Sequence, residues 1–149
     1  MTTSFSLLRN LTGLSSAQAA QFLEVSLDTV KSWNSGRNGA PDWALDDLRN
    51  LWRALERRAD IGIEQLRATI QEQGFPPEQI EFGAPMTDRE AREELDLPFV
   101  SCFHTFVAIF MTRTDIPIVI VPRGSTPLSK SLVEARKEVE LHSRESPRR

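Results

Sequence analysis

The sequence predicts a mainly α fold, an N-terminal bundle of short helices followed by a small α+β part. Three observations carry this expectation. Between Leu7 and Ile70 apolar residues recur every three or four positions, which is the period of an amphipathic helix. Capping residues and glycines punctuate that stretch at short intervals. β-Branched residues instead concentrate in one late run, residues 116–121 with sequence IPIVIV, a composition that favours a strand.

The elements follow in order. A first helix is expected over residues 5–10, with Leu7, Leu8 and Leu11 apolar and Thr12-Gly13 ending it. Ser15 caps a second helix, and Gln18 three residues on completes a capping box. That helix buries Ala19, Ala20, Phe22 and Leu23. Ser26 caps a third helix almost at once, with Val30 and Trp33 facing inward. Gly36, Gly39 and Pro41 then mark a loop. Asp42 opens a long fourth helix whose stripe runs through Leu45, Leu48, Trp52, Leu55 and Ala59. Asp60 or Gly62 is expected to break it before Ile63, Leu66 and Ile70 continue a helix to Gly74. A short strand follows over residues 79–82, then a small acidic helix opened by a second capping box, Thr87 to Glu90. Residues 99–111 are apolar almost all round, with Phe99, Phe103, Phe106 and Phe110 at helical spacing. Residues 116–121 read as a buried strand that Pro117 pushes to a sheet edge. Thr126-Pro127 starts a last helix with Leu128, Leu132, Ala135 and Val139 in one stripe, and residues 142–149 form a polar tail. The expected domains are 1–60, 61–141 and the flexible tail 142–149.

Composition narrows the function classes. The 149 residues are 40% hydrophobic and 26% charged, values typical of a globular chain. No stretch reaches the roughly 20 apolar residues needed to span a bilayer, and the N-terminus lacks the features of a signal peptide. A cytoplasmic protein without a membrane partner is expected. The lone Cys102 allows no internal disulfide and no cysteine-rich zinc site. Two residues apart on a helix, Cys102 and His104 point to different sides and cannot act together. The acids Asp88, Glu90, Glu93, Glu94 and Asp96 match no calcium loop and read as a solvated face. No paired acid and base and no ligand set emerge. The expectation is therefore no enzyme, no cofactor, no metal and no small-molecule ligand.

Net charge is −3, which alone weighs against a nucleic-acid partner. Its distribution alters that. Residues 1–60 carry seven basic and seven acidic side chains, residues 61–122 four and ten, and residues 123–149 seven and four. Acid is thus concentrated in the middle, away from the N-terminal helices, a segregation that fits one binding end and one self-association end.

Residues 14–37, LSSAQAAQFLEVSLDTVKSWNSGR, carry the functional signal. Ala20 is small where a second helix crosses it. Val25 plugs the turn, Ser26 caps the following helix, and Val30 and Trp33 anchor that helix from within. Leu27, Asp28, Lys31 and Ser32 are then left facing outward. A capped helix end with short polar side chains suits the roughly 12 Å major groove of DNA.

The segment resembles the helix-turn-helix of phage repressors and Cro proteins, the XRE-like regulators. Leu14-Ser15, Ala20, Val25-Ser26, Thr29-Val30, Trp33 and Gly36-Arg37 match that pattern in register. Glu24 replaces the usual turn glycine, Ser16 a glutamine and Asn34 a glutamate. Since that glycine commonly adopts a left-handed conformation, Glu24 is expected to carry a strain of about 1 kcal/mol. The Gly36-Arg37 pair and the late helix-then-strand order are also similar to helix-turn-helix regulators found beside anti-CRISPR genes. The resemblance implies a lambda-repressor-like bundle over roughly residues 5–60 with a C-terminal dimerisation domain. It implies a double-stranded DNA operator as partner, read by Leu27, Asp28, Lys31 and Ser32 at base edges, with Ser16, Ser26, Arg37 and Asn38 on phosphates. Operator-binding proteins of this kind act as two-fold dimers. An all-apolar helix needs cover on every side, so Phe99, Phe103, Phe106 and Phe110 are expected in a homodimer interface. The function implied is a homodimeric transcriptional repressor. An antitoxin-like interaction module that also binds its own promoter is the alternative.

Overall fold

Local capping chemistry sets the first three helices. The structure, a computed structural model, describes residues 1–123. The last helix expected around Leu128 to Val139 and the tail over residues 142–149 lie outside the described residues. Helix α1 (Ser4–Thr12) begins at Thr3, whose hydroxyl accepts from the Ser6 amide, and closes at Gly13 in the left-handed region. Helix α2 (Ser16–Leu23) begins at Ser15 with the expected reciprocal box: Gln18 N–H donates to Ser15 Oγ at 3.1 Å and Ser15 N–H to Gln18 Oε1 at 3.0 Å. Helix α3 (Leu27–Ser35) is capped by Ser26, which accepts from the Thr29 amide. Each cap satisfies amides that the helix itself leaves without partners.

Helix α4 (Asp42–Gln73) is one continuous helix of 32 residues. The expected break at Asp60 or Gly62 does not occur, and the anticipated domain boundary at residue 60 falls inside the helix. Gly62 has a packing role instead. A Cβ there would stand 3.0 Å from the ring of Phe110, so the missing side chain is room for an aromatic ring.

The remaining elements are β1 (Ile80–Ala84), α5 (Asp88–Leu95), α6 (Val100–Met111) and β2 (Ile118–Pro122). Thr87 caps α5 through the Glu90 amide, but the Glu90 carboxylate reaches the Met86 amide at 2.8 Å rather than closing the box on Thr87. Asp88 Oδ1 accepts from the Val100 amide at the start of α6. β1 and β2 pair in parallel, with Ile80 opposite Ile118 and Ala84 opposite Pro122. Parallel neighbours require a long crossover, and α5 and α6 lie within it.

Two compact units result. One comprises Met1–Phe75 with Ser101–Asp115, and the other comprises Pro76–Val100 with the chain from Ile116. The core of the first is built from Phe5, Leu14, Ala19, Val30, Leu48, Leu55, Ala59 and the inner side of α6. In the second, Ile80, Phe82, Ala91, Leu97 and Phe99 are buried. No single helix among the described residues is long and apolar enough to cross a membrane.

Two expectations need correction here. Phe103, Phe106 and Phe110 are each at most 8% exposed within the first unit, and Phe99 is 3% exposed in the second. The single chain covers all four, so they are not a free interface. An N-terminal unit ending at residue 60 leaves α6 without cover, whereas α4 continues past Gly62 and packs on Phe110. What α6 leaves outside is a strip of His104, Ala108 and Met111. Strand β2 is also not a buried strand. Ile120 is 50% exposed, because among the described residues β2 has one neighbouring strand and no second layer on that side.

Candidate nucleic-acid interface

Three residues, Glu24 to Ser26, connect α2 and α3. Glu24 lies at φ 56°, ψ 43°, the left-handed conformation expected for a residue in place of a turn glycine. Its amide donates to the Gln21 carbonyl, and the Val25 amide reaches the Ala20 carbonyl at 3.0 Å. These bonds end α2 and redirect the chain abruptly. Val25 is half-buried, while Val30 is fully buried and Trp33 nearly so.

Trp33 ties α3 to its surroundings. Its ring meets Phe5 edge-on at 5.2 Å and Trp43 at 6.1 Å, geometries favoured by the ring quadrupoles. Its carbonyl accepts from the Thr3 hydroxyl at 3.0 Å. α3 is therefore held at both ends, by Ser26 at the start and by α1 near its close. A held helix adds no backbone ordering cost on binding, which leaves only that of its outer side chains.

Those outer side chains are Leu27, Asp28 and Lys31. Leu27 is 40% exposed, and Asp28 and Lys31 are exposed beside it. Ser32 departs from expectation. It is 4% exposed, and its Oγ accepts from Asn38 Nδ2 at 2.6 Å. The Asn38 amide also reaches the Ser32 carbonyl. The loop after α3 folds back along this flank, which a single-helix reading of outward and inward positions does not anticipate. Ser32 is a buried anchor for that loop and is withdrawn as a base contact.

The four expected phosphate contacts divide in the same way. Ser26 is exposed, but its hydroxyl already caps α3 and bonds the Thr29 hydroxyl at 2.8 Å. Arg37 is exposed at the mouth of a shallow concavity shared with Asp28, Thr29, Trp33 and Asn38. Asn38 is exposed as a residue, though its amide group is engaged by Ser32. Ser16 is half-buried at the first position of α2 and accepts from Asn34 Nδ2 at 3.1 Å.

Asn34 leads to a residue the sequence reading missed. Its Oδ1 accepts from Arg9 Nε at 3.2 Å, and Arg9 Nη1 donates to the Leu14 carbonyl at 2.6 Å. One chain of hydrogen bonds thus joins α1, α3 and the start of α2. The signal available in sequence was only a basic residue in the last turn of α1, a common feature of helix ends. α4 carries a further group of basic residues, Arg49, Arg53, Arg57 and Arg58. Arg49 pairs with Asp46 on its own helix at 2.7 Å. Cys102 is fully buried and His104 exposed, on different sides of α6.

Searched against known families and curated proteins, the chain matches no family model and no curated protein.

Proposed function

We propose that the chain is a sequence-specific regulator that binds double-stranded DNA and reads the major groove with the first half of α3. The observation that carries this reading is the outward display of Leu27, Asp28 and Lys31 on a helix fixed by its cap and by Trp33. Lys31 is suited to donate to guanine O6 or N7, Asp28 to accept from cytosine N4, and Leu27 to pack on a thymine methyl. Ser16, Ser26 and Arg37 flank that helix as phosphate contacts, which set register rather than sequence. Bound as a homodimer to an inverted repeat, such a protein represses by occupying a promoter. The α6 phenylalanines take no part in that pairing.

Selection of bound duplexes from a random pool tests the reading. The expected product is an inverted repeat whose half-sites lie about 34 Å apart, centre to centre. Binding should fall steeply with salt, because neutralised phosphates release counterions. Recovery of the starting pool without enrichment would overturn it.

A further inference from the structure

Arg9 sits half-buried where the start of α2 meets the end of α3. Its partners are neutral: the Asn34 side-chain carbonyl and the Leu14 main-chain carbonyl. Among the described residues it forms no ion pair with a carboxylate. A guanidinium in that position keeps its full field, which is weakly screened where protein replaces water. The hydrogen bonds also run in one direction. Arg9 donates to Asn34, Asn34 donates to Ser16 Oγ, and the Ser16 hydroxyl, having accepted, keeps its own proton to donate. Chains of this kind polarise successive members.

Resting on the DNA-binding reading above, we infer that Arg9 is a positioning residue of the interface, supplying through Asn34 and Ser16 a positively polarised donor for one backbone phosphate. Asn34 is central to this arrangement. A neutral side chain there transmits the orientation without cancelling the charge, whereas a carboxylate would neutralise Arg9.

The test exploits that opposition. Binding to the selected duplex is measured by fluorescence anisotropy from low to moderate salt, and thermal stability is measured alongside. Asn34→Asp converts the contact to an ion pair. It should raise the melting temperature yet weaken binding about tenfold, and make the salt dependence shallower by up to about one unit of log–log slope. Ser16→Ala should weaken binding several-fold with little change in stability. Arg9→Lys, which keeps the charge but not the planar fork, should retain the slope better than Arg9→Gln. Asn34→Asp and Ser16→Ala proteins that bind as tightly as the parent, with the same slope, would show that Arg9 only braces the bundle and would overturn the inference while leaving the DNA reading intact. If Asn34→Asp fails to fold, Arg9→Lys against Arg9→Gln decides: equal affinity and equal slope for the two would overturn the inference. Absence of selective binding by the parent protein would instead remove the DNA reading and the inference together.

Discussion

Replacing Gly13 by alanine probes how α1 ends against α6. Gly13 lies at φ +81°, and a Cβ there would stand 2.4 Å from Thr105 Oγ1 and 3.3 Å from the Ser101 carbonyl. Two costs follow. A left-handed alanine costs about 1–2 kcal/mol. Displacing the Thr105 hydroxyl also breaks its bond to the Thr12 carbonyl, 3.1 Å long, at about 1–2 kcal/mol in this buried setting. Gly13→Ala should therefore destabilise the first unit by about 2–4 kcal/mol. Thr105→Ala alone forfeits the same hydrogen bond, at about 1–2 kcal/mol. In the double variant the close Oγ1 contact no longer exists and the nearest remaining atom of that side chain, Thr105 Cβ, is 3.7 Å away. The pair should thus lose about 1–2 kcal/mol less than the sum of the singles. Equilibrium urea unfolding followed by circular dichroism reads this as shifts of the midpoint at constant slope. Strict additivity, within about 0.5 kcal/mol, would mean that α6 does not pack on Gly13.

Three further outcomes are expected from the same geometry. Glu24→Gly relieves a left-handed strain and should stabilise by about 1 kcal/mol, raising the melting temperature by about 2–4 °C, as differential scanning fluorimetry would record. Ser32→Ala removes the hydroxyl that holds Asn38 and should cost about 1 kcal/mol while leaving base preference on a selected duplex unchanged. Phe106→Ala should cost about 3–5 kcal/mol of folding stability. That loss should be the same at every protein concentration, whereas loss of a dimer contact would vary with concentration.

Short-range chemistry was the legible part of this chain. Ser15, Ser26 and Thr87 cap helices because their hydroxyls reach amides three residues on, and that distance is fixed by helix geometry. The left-handed Glu24 was foreseeable only through the resemblance, because it stands where the similar regulators carry a turn glycine. Failures cluster where the answer depends on distant partners. Gly62 reads locally as a helix breaker, but its neighbour Phe110 lies 48 positions later. The cover over α6 could not be inferred once α4 was cut short. The parallel pairing of β1 with β2 leaves no local signature, because the crossover between them is long. Ser32 shows the same limit within the candidate site: its helical position faces outward, and only the returning Asn38 turns it into a core residue. Arg9 is an ordinary last-turn arginine until Asn34 and Ser16 are seen beside it.

The central claim is that Lys31, displayed on the open side of α3, reads a base. The direct measurement is the binding of Lys31→Ala to a panel of duplexes with each base of one half-site changed in turn. Discrimination should fall by about 1–3 kcal/mol at one position, with the other positions still read as before. A variant that kept the parent's affinity and its full base preferences would contradict the account.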